Sequence, residues 1–145
     1  MKKIIFAALS LVWIMFIFFN SSRNGSVSHG ISMKIANKIS YIISRFINVK
    51  IGSVDFFIRK CAHGFEFMML AIIIMISLNA LLEDKKNILF LTLLSILIIA
   101  GLDETLQIFI SGRTSKVTDV LIDFLGGVVG CIITYKFLLL KINLF

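Results

Sequence analysis

The residues best suited to chemistry lie inside, or at the mouths of, the oiliest stretches of the chain. Arg59, His63 and Glu66 recur at i, i+4 and i+7 in "FFIRKCAHGFEFMML", with Lys60 beside them, which makes one stripe of a helix. Asp103 and Gln107 stand at i and i+4 in "GLDETLQIFI", with Glu104 one step round and Arg113 just beyond. Asp119 and Asp123 repeat that spacing in "TDVLIDFLGG". An ionised acid in the middle of a membrane helix costs about 2.5–3.5 kcal/mol. Several together are therefore expected to face one another across a partly wet pocket rather than face lipid.

An imidazole among carboxylates can handle protons or hold a hard or borderline divalent cation. An arginine can grip a phosphate or carboxylate through two parallel hydrogen bonds. The candidate catalytic groups are His63, Glu66, Asp103 and Glu104; the candidate ligand-binding groups are Arg59, Lys60, Gln107, Arg113, Asp119 and Asp123. Five acids in this set meet three bases. Protonation, Lys116 or a bound divalent cation would relieve the surplus, and no particular metal is specified. Each group also has a structural alternative. His63 can bond Glu66 or an acid on the next segment, and the acids can lock helices through ion pairs. Asp119 can cap its helix, and Arg113 can anchor to lipid headgroups. Ser111 and Ser115 lie in the right loop, but no nucleophile elbow surrounds them. Trp13 reads as packing, and His29 as a loop residue without a partner.

Such groups need a scaffold, and composition says which. The chain has 145 residues, 59% of them hydrophobic and 16% charged, whereas soluble domains run near 45–50% and about 25%. A bilayer is the solvent that suits this. The net charge of +7 points to anionic lipid or another anionic ligand. Nucleic acid is not expected, because no basic, aromatic-laced surface is visible.

Four apolar stretches have roughly the length a spanning helix needs: Ile4–Phe19, Phe56–Leu82, Ile88–Ile110 and Asp119–Leu140. The first is read as an uncleaved anchor, since "NSSRNGS" follows it in place of a small-x-small cleavage site. Between the first two stretches, a Ser/Asn/Gly loop is expected up to residue 30. An amphipathic helix then carries Ile31, Ile35, Ile39, Ile42 and Phe46 on one face and Lys34, Lys38 and Arg45 on others, a pattern suited to the membrane interface. "EDKKN" is a tight polar turn, and Gly112 in "SGRTSKV" a helix stop. Gly126 and Gly130 have the GxxxG spacing of close helix packing. Cys61 falls near one face and Cys131 roughly 18 Å inside at ~1.5 Å per residue, too far apart for a disulfide. The expected fold is all-α integral membrane: four transmembrane helices plus one amphipathic interfacial helix, in a single domain over 1–145.

Alternating spans put the start of the second, the end of the third and the start of the fourth at one face, where the polar residues are. Sidedness is contested. Nine basic residues flank that face and six flank the other, so a plain positive-inside count places the polar face inside. Flanks of the first helix usually dominate, however, and Lys2 and Lys3 favour both termini in the cytoplasm with the pocket opening outward.

"RKCAHGFEFMML" followed by "DETLQIFISGRTSKVTDVLIDFLGG" resembles the VanZ-like membrane protein family over about residues 56 to 131. The family pattern, a basic pair with Ala-His and Glu, then Asp/Glu-Glu, Gln, Phe, Gly-Arg, Asp, Asp and Gly, falls on Arg59, Lys60, His63, Glu66, Asp103, Glu104, Gln107, Arg113, Asp119, Asp123 and Gly126. The chain departs from it at Gly64, Phe67, Leu106 and Ser111, where aromatic, tyrosine, histidine and proline are frequent. The resemblance implies a multi-pass protein of the bacterial plasma membrane and a role in susceptibility to teicoplanin-type glycopeptides; it implies no reaction. Three functions stay open: a binder of an anionic headgroup, lipid or cation; an enzyme acting on a lipid-linked cell-wall precursor; and an interaction protein whose charges only lock the bundle.

Overall fold

The computed structural model describes residues 2–43, 45 and 50–139. Phe46 of the amphipathic repeat, Leu140 and Lys141 lie outside the described residues, as do the side chains of Lys2 and Lys3. Five helices follow one another: α1 (Lys2–Ser21), α2 (Gly25–Ile43), α3 (Ile51–Asn79), α4 (Lys85–Ile108) and α5 (Val117–Leu139). Among the described residues there is no strand. All but α2 are long and apolar enough to cross a membrane. This is a multi-pass all-α membrane protein, in which every spanning segment satisfies its backbone internally. Side chains such as Ile4, Leu11, Phe90, Ile98, Leu121 and Leu125 are exposed on its surface, as lipid-facing residues are.

α3 is the hub and packs against each of the other four helices. At 29 residues it is about 43 Å long, more than the ~30 Å of hydrocarbon it must cross, a surplus taken up by tilt or by extension beyond the hydrocarbon. α2 packs on α3 and meets its N-terminal part at Asp55. Phe67, Leu70, Met75, Ile88 and Ile96 form the buried core with Ile17 of α1 and Cys131 of α5.

Glycine sets the approach of α3 to α5. A Cβ on Gly126 would collide with the Gly64 carbonyl, and one on Gly130 with the Met68 carbonyl. The GxxxG spacing thus does what it predicts: the two backbones touch. Asp84 caps α4, its Oδ1 accepting from Lys86 N–H at 2.9 Å. That cap starts the helix three residues ahead of the apolar run. α5 begins with Asp119 in its first turn and ends with Lys136 in its last, both favourable to the helix dipole. Gly112 has φ +75°, the left-handed conformation glycine adopts without penalty. It sits in the turn after α4, four residues past the helix end.

One expectation fails. The Ser/Gly stretch 25–30 is helical, so α2 starts six residues early. Asn24 provides the start, its Oδ1 accepting from Ser26 N–H at 3.1 Å. Docking on the α4–α5 loop holds it there: Gly25 N–H donates to the Ser111 carbonyl at 3.1 Å, and a Cβ on Gly25 would overlap Gly112. Serine and glycine are weak helix formers, and here a cap and a tertiary contact outweigh them. His29 is accordingly a helix residue.

Candidate functional site

The end of α1, the start of α3, the end of α4 and the start of α5 meet at one face, tied by side chains. Arg113 donates from its Nη2 to the Asn20 carbonyl at 2.9 Å and from Nε to the Arg23 carbonyl at 3.2 Å. It thereby adds a second donor to the Asn20 carbonyl, which also accepts from Arg23 N–H at 3.3 Å, and ties down the chain just past α1. Burial lowers the Arg113 pKa from its ordinary value while Asp103 opposes that shift; the guanidinium stays charged. Glu104 accepts from Lys116 N–H at 2.9 Å, pinning the loop that leads into α5. Lys60 Nζ lies 2.5 Å from Asp119 Oδ1, an ion pair joining α3 to α5.

Below this layer three helices point at a single spot. His63 from α3, Asp103 from α4 and Asp123 from α5 each place a nitrogen or carboxylate oxygen within 4.8 Å of the other two. Asp103 is 0% and Asp123 1% exposed. Asp103 Oδ2 accepts from Ser21 Oγ at 2.8 Å and from Gln107 Nε2 at 2.9 Å. Five buried side-chain polar atoms among the described residues lack a hydrogen-bond partner, and four are His63 Nδ1, Asp103 Oδ1 and both carboxylate oxygens of Asp123. Buried polar groups are nearly always paired, so this concentration at one point is the unusual feature of the molecule.

Glu66 stands to one side. Its Oε1 accepts from Asn20 Nδ2 at 2.8 Å, so His63 is not its partner. Trp13 does more than pack: its Nε1 donates to the Glu66 backbone carbonyl at 2.9 Å, fastening α1 to α3. Arg59 points away from the expected acids. Its Nη2 is 3.4 Å from Asp55 Oδ2, one turn back on α3. Asp55 was not among the candidates, yet it is 1% exposed. It accepts from Ser32 Oγ and lies 2.9 Å from His29 Nδ1, so His29 does have a partner. The Asp55/Arg59 spacing of i, i+4 was a visible signal; the α2 side of the cluster had none.

Above His63 a cavity of about 190 Å³ opens between α3, α5 and the loop. Arg59, Lys60, Arg113 and Lys116 line it against the single acid Asp119, with His63 and Gln107 also in its wall. A second cavity of about 210 Å³ lies on the α1–α2 side and shares His63, Arg59 and Arg113 with the first. Cys61 is exposed and Cys131 buried, both as free thiols.

A VanZ/LLP1 family model matches residues 6–140. The chain belongs to the VanZ/LLP1 family. No curated protein and no solved structure matches it. In this VanZ/LLP1 chain, the motif residues His63, Asp103 and Asp123 converge on one buried point, and Lys60, Arg113 and Asp119 surround the cavity above. Glu66 and Glu104 serve neighbouring contacts to Asn20 and Lys116.

Proposed function

We propose that this protein binds the anionic headgroup of a membrane lipid or a lipid-linked cell-wall precursor in the basic cavity beside α3 and α5, in the bacterial plasma membrane. The observation that carries the reading is the lining: four basic residues and one acid around about 190 Å³. A phosphate there would meet Arg59 and Lys116. α2 presents Ile31, Ile35 and Ile42 as exposed side chains, which suits an interfacial helix resting on the bilayer beside the cavity mouth. With both termini in the cytoplasm the cavity opens outward, within reach of envelope precursors. Lowered susceptibility to teicoplanin-type glycopeptides, which the VanZ likeness supports, would follow if the ligand is such a precursor.

The test is native mass spectrometry of the full chain in nanodiscs containing phosphatidylglycerol or undecaprenyl phosphate. Retention of one anionic lipid is expected, with retention about 30-fold weaker in Arg59→Gln/Lys116→Gln, the loss expected for removing two contacts of about 1 kcal/mol each. Equal retention by the variant, or of zwitterionic lipid by the native chain, would overturn the reading.

A further inference from the structure

The cluster of His63, Asp103 and Asp123 has open valences that no hydrogen bond or ion pair among the described residues fills. Of the four basic residues around the cavity, three are engaged elsewhere: Lys60 with Asp119, Arg59 with Asp55, and Arg113 with the carbonyls of Asn20 and Arg23; among the described residues no ion pair joins the fourth, Lys116, to the cluster's acids. A structural ion-pair network would have turned at least one of them inward. Two carboxylates at 0% and 1% exposure carry a desolvation cost of several kcal/mol per ion when unpaired. Only a guest of opposite charge, or a proton, offsets it.

We propose that His63, Asp103 and Asp123 bind a divalent cation of the Zn²⁺ or Mn²⁺ class at the floor of the basic cavity. Donor atoms all within 4.8 Å of one another leave a point roughly 2.8 Å or less from each, against bonds of ~2.0–2.2 Å to a first-row ion. Side-chain rotations of well under an ångström per donor close that gap. The donor set selects the ion. One imidazole with two carboxylates suits Zn²⁺ or Mn²⁺. Ca²⁺ wants six to eight oxygens and Mg²⁺ keeps its waters, so both fit poorly beside a histidine. Two carboxylates and a neutral imidazole around a divalent ion sum to zero charge, which is what a buried site needs. The Asp103 carboxylate is held by outer partners: Ser21 and Gln107 both grip Oδ2, leaving Oδ1 without a hydrogen bond. Outer hydrogen bonds commonly orient metal ligands in this way. Three protein ligands leave a coordination position open. His63 and Gln107 both line the cavity above, so that position faces the basic pocket. A phosphate oxygen entering it would bridge the ion and the arginines; this last step alone rests on the proposed headgroup binding.

The experiment uses the full chain in detergent micelles without added lipid, its affinity tag removed and its metals stripped with EDTA. Zn²⁺ or Mn²⁺ alone is then titrated, and retained metal is counted by mass spectrometry after dialysis. One ion per chain is expected. Asp123→Asn and His63→Gln each should weaken binding by about 100-fold or more, since loss of even an outer partner costs 10–100-fold. Glu83→Gln, an exposed acid in the α3–α4 turn, should bind as the native chain does. Helical circular dichroism and a monodisperse elution show that each variant is folded. A thermal melt of the native chain should rise on adding Zn²⁺ and stay fixed for Asp123→Asn. Substoichiometric metal, or equal affinity in Asp123→Asn, would overturn the cation site. Headgroup retention in nanodiscs would be unaffected by that result, so the two readings fail separately.

Discussion

Asp55 and Asp123 are equally hidden, each 1% exposed, and they live opposite lives. Asp55 is surrounded: Ser32 donates to one oxygen, and His29 and Arg59 stand at the other. Its partners come from α2 and from its own helix, so it clamps α2 to the N-terminal end of α3. Among the described residues Asp123 has no hydrogen-bond partner on either oxygen, its neighbours His63 and Asp103 each have one unpartnered buried atom, and the three side chains bring donor atoms within 4.8 Å of one another. Burial alone therefore does not mark a site in this protein. The distinguishing property is burial without satisfaction, at a point where three helices converge below a basic cavity.

Removing Asp55 is the harshest way to probe the contrast. Asp55→Ala removes the contacts to Ser32, His29 and Arg59; because the His29 and Arg59 side chains are 51% and 38% exposed and rehydrate, the cost expected is about 3 kcal/mol. We expect about that loss in a denaturant titration of the purified protein, with α2 released to protease. A loss below about 1 kcal/mol would mean that the clamp is only a surface pair. Gly126→Ala should cost less, about 1–3 kcal/mol, because its Cβ must push α5 away from the Gly64 carbonyl. It separates the two regions: His63 and Asp123 move apart, so cation affinity falls, while protease resistance of α2 stays native. Loss of both together would join regions that the geometry keeps separate. Trp13→Phe is the mildest, removing one hydrogen bond to the Glu66 carbonyl for about 0.5–1.5 kcal/mol. It should loosen α1 and leave both aspartate environments as they were, read by unchanged Zn²⁺ binding.

The sequence exposed much of this because the membrane simplifies the reading. Runs of about twenty apolar residues located the four spans, and i, i+4 spacing put His63, Asp103 and Asp123 on inward stripes at a common level. The pairings were harder. Counting charges suggested Arg113 against the acids, but Arg113 serves the carbonyls at the end of α1, a need that no charge count reveals. Arg59 likewise turns to Asp55, and the His29–Asp55 contact joins residues 26 positions apart on two helices. The serines and glycines of 25–30 looked like loop because their helix depends on Asn24 and on docking against Ser111. Local pattern fixed what each helix shows on each face; which partner it meets there is decided by tertiary packing.

The most direct test of the unsatisfied cluster is the thermal stability of Asp123→Asn against the native chain, with EDTA and with Zn²⁺. Asparagine keeps the shape and removes the charge. In EDTA the variant should be the more stable by about 1 kcal/mol, the low end of the cost of an unmet buried group. In saturating Zn²⁺ the order should invert as the native chain gains its ion and the variant does not. A variant less stable than the native chain by the same margin in both conditions would contradict the account and make Asp123 a second Asp55.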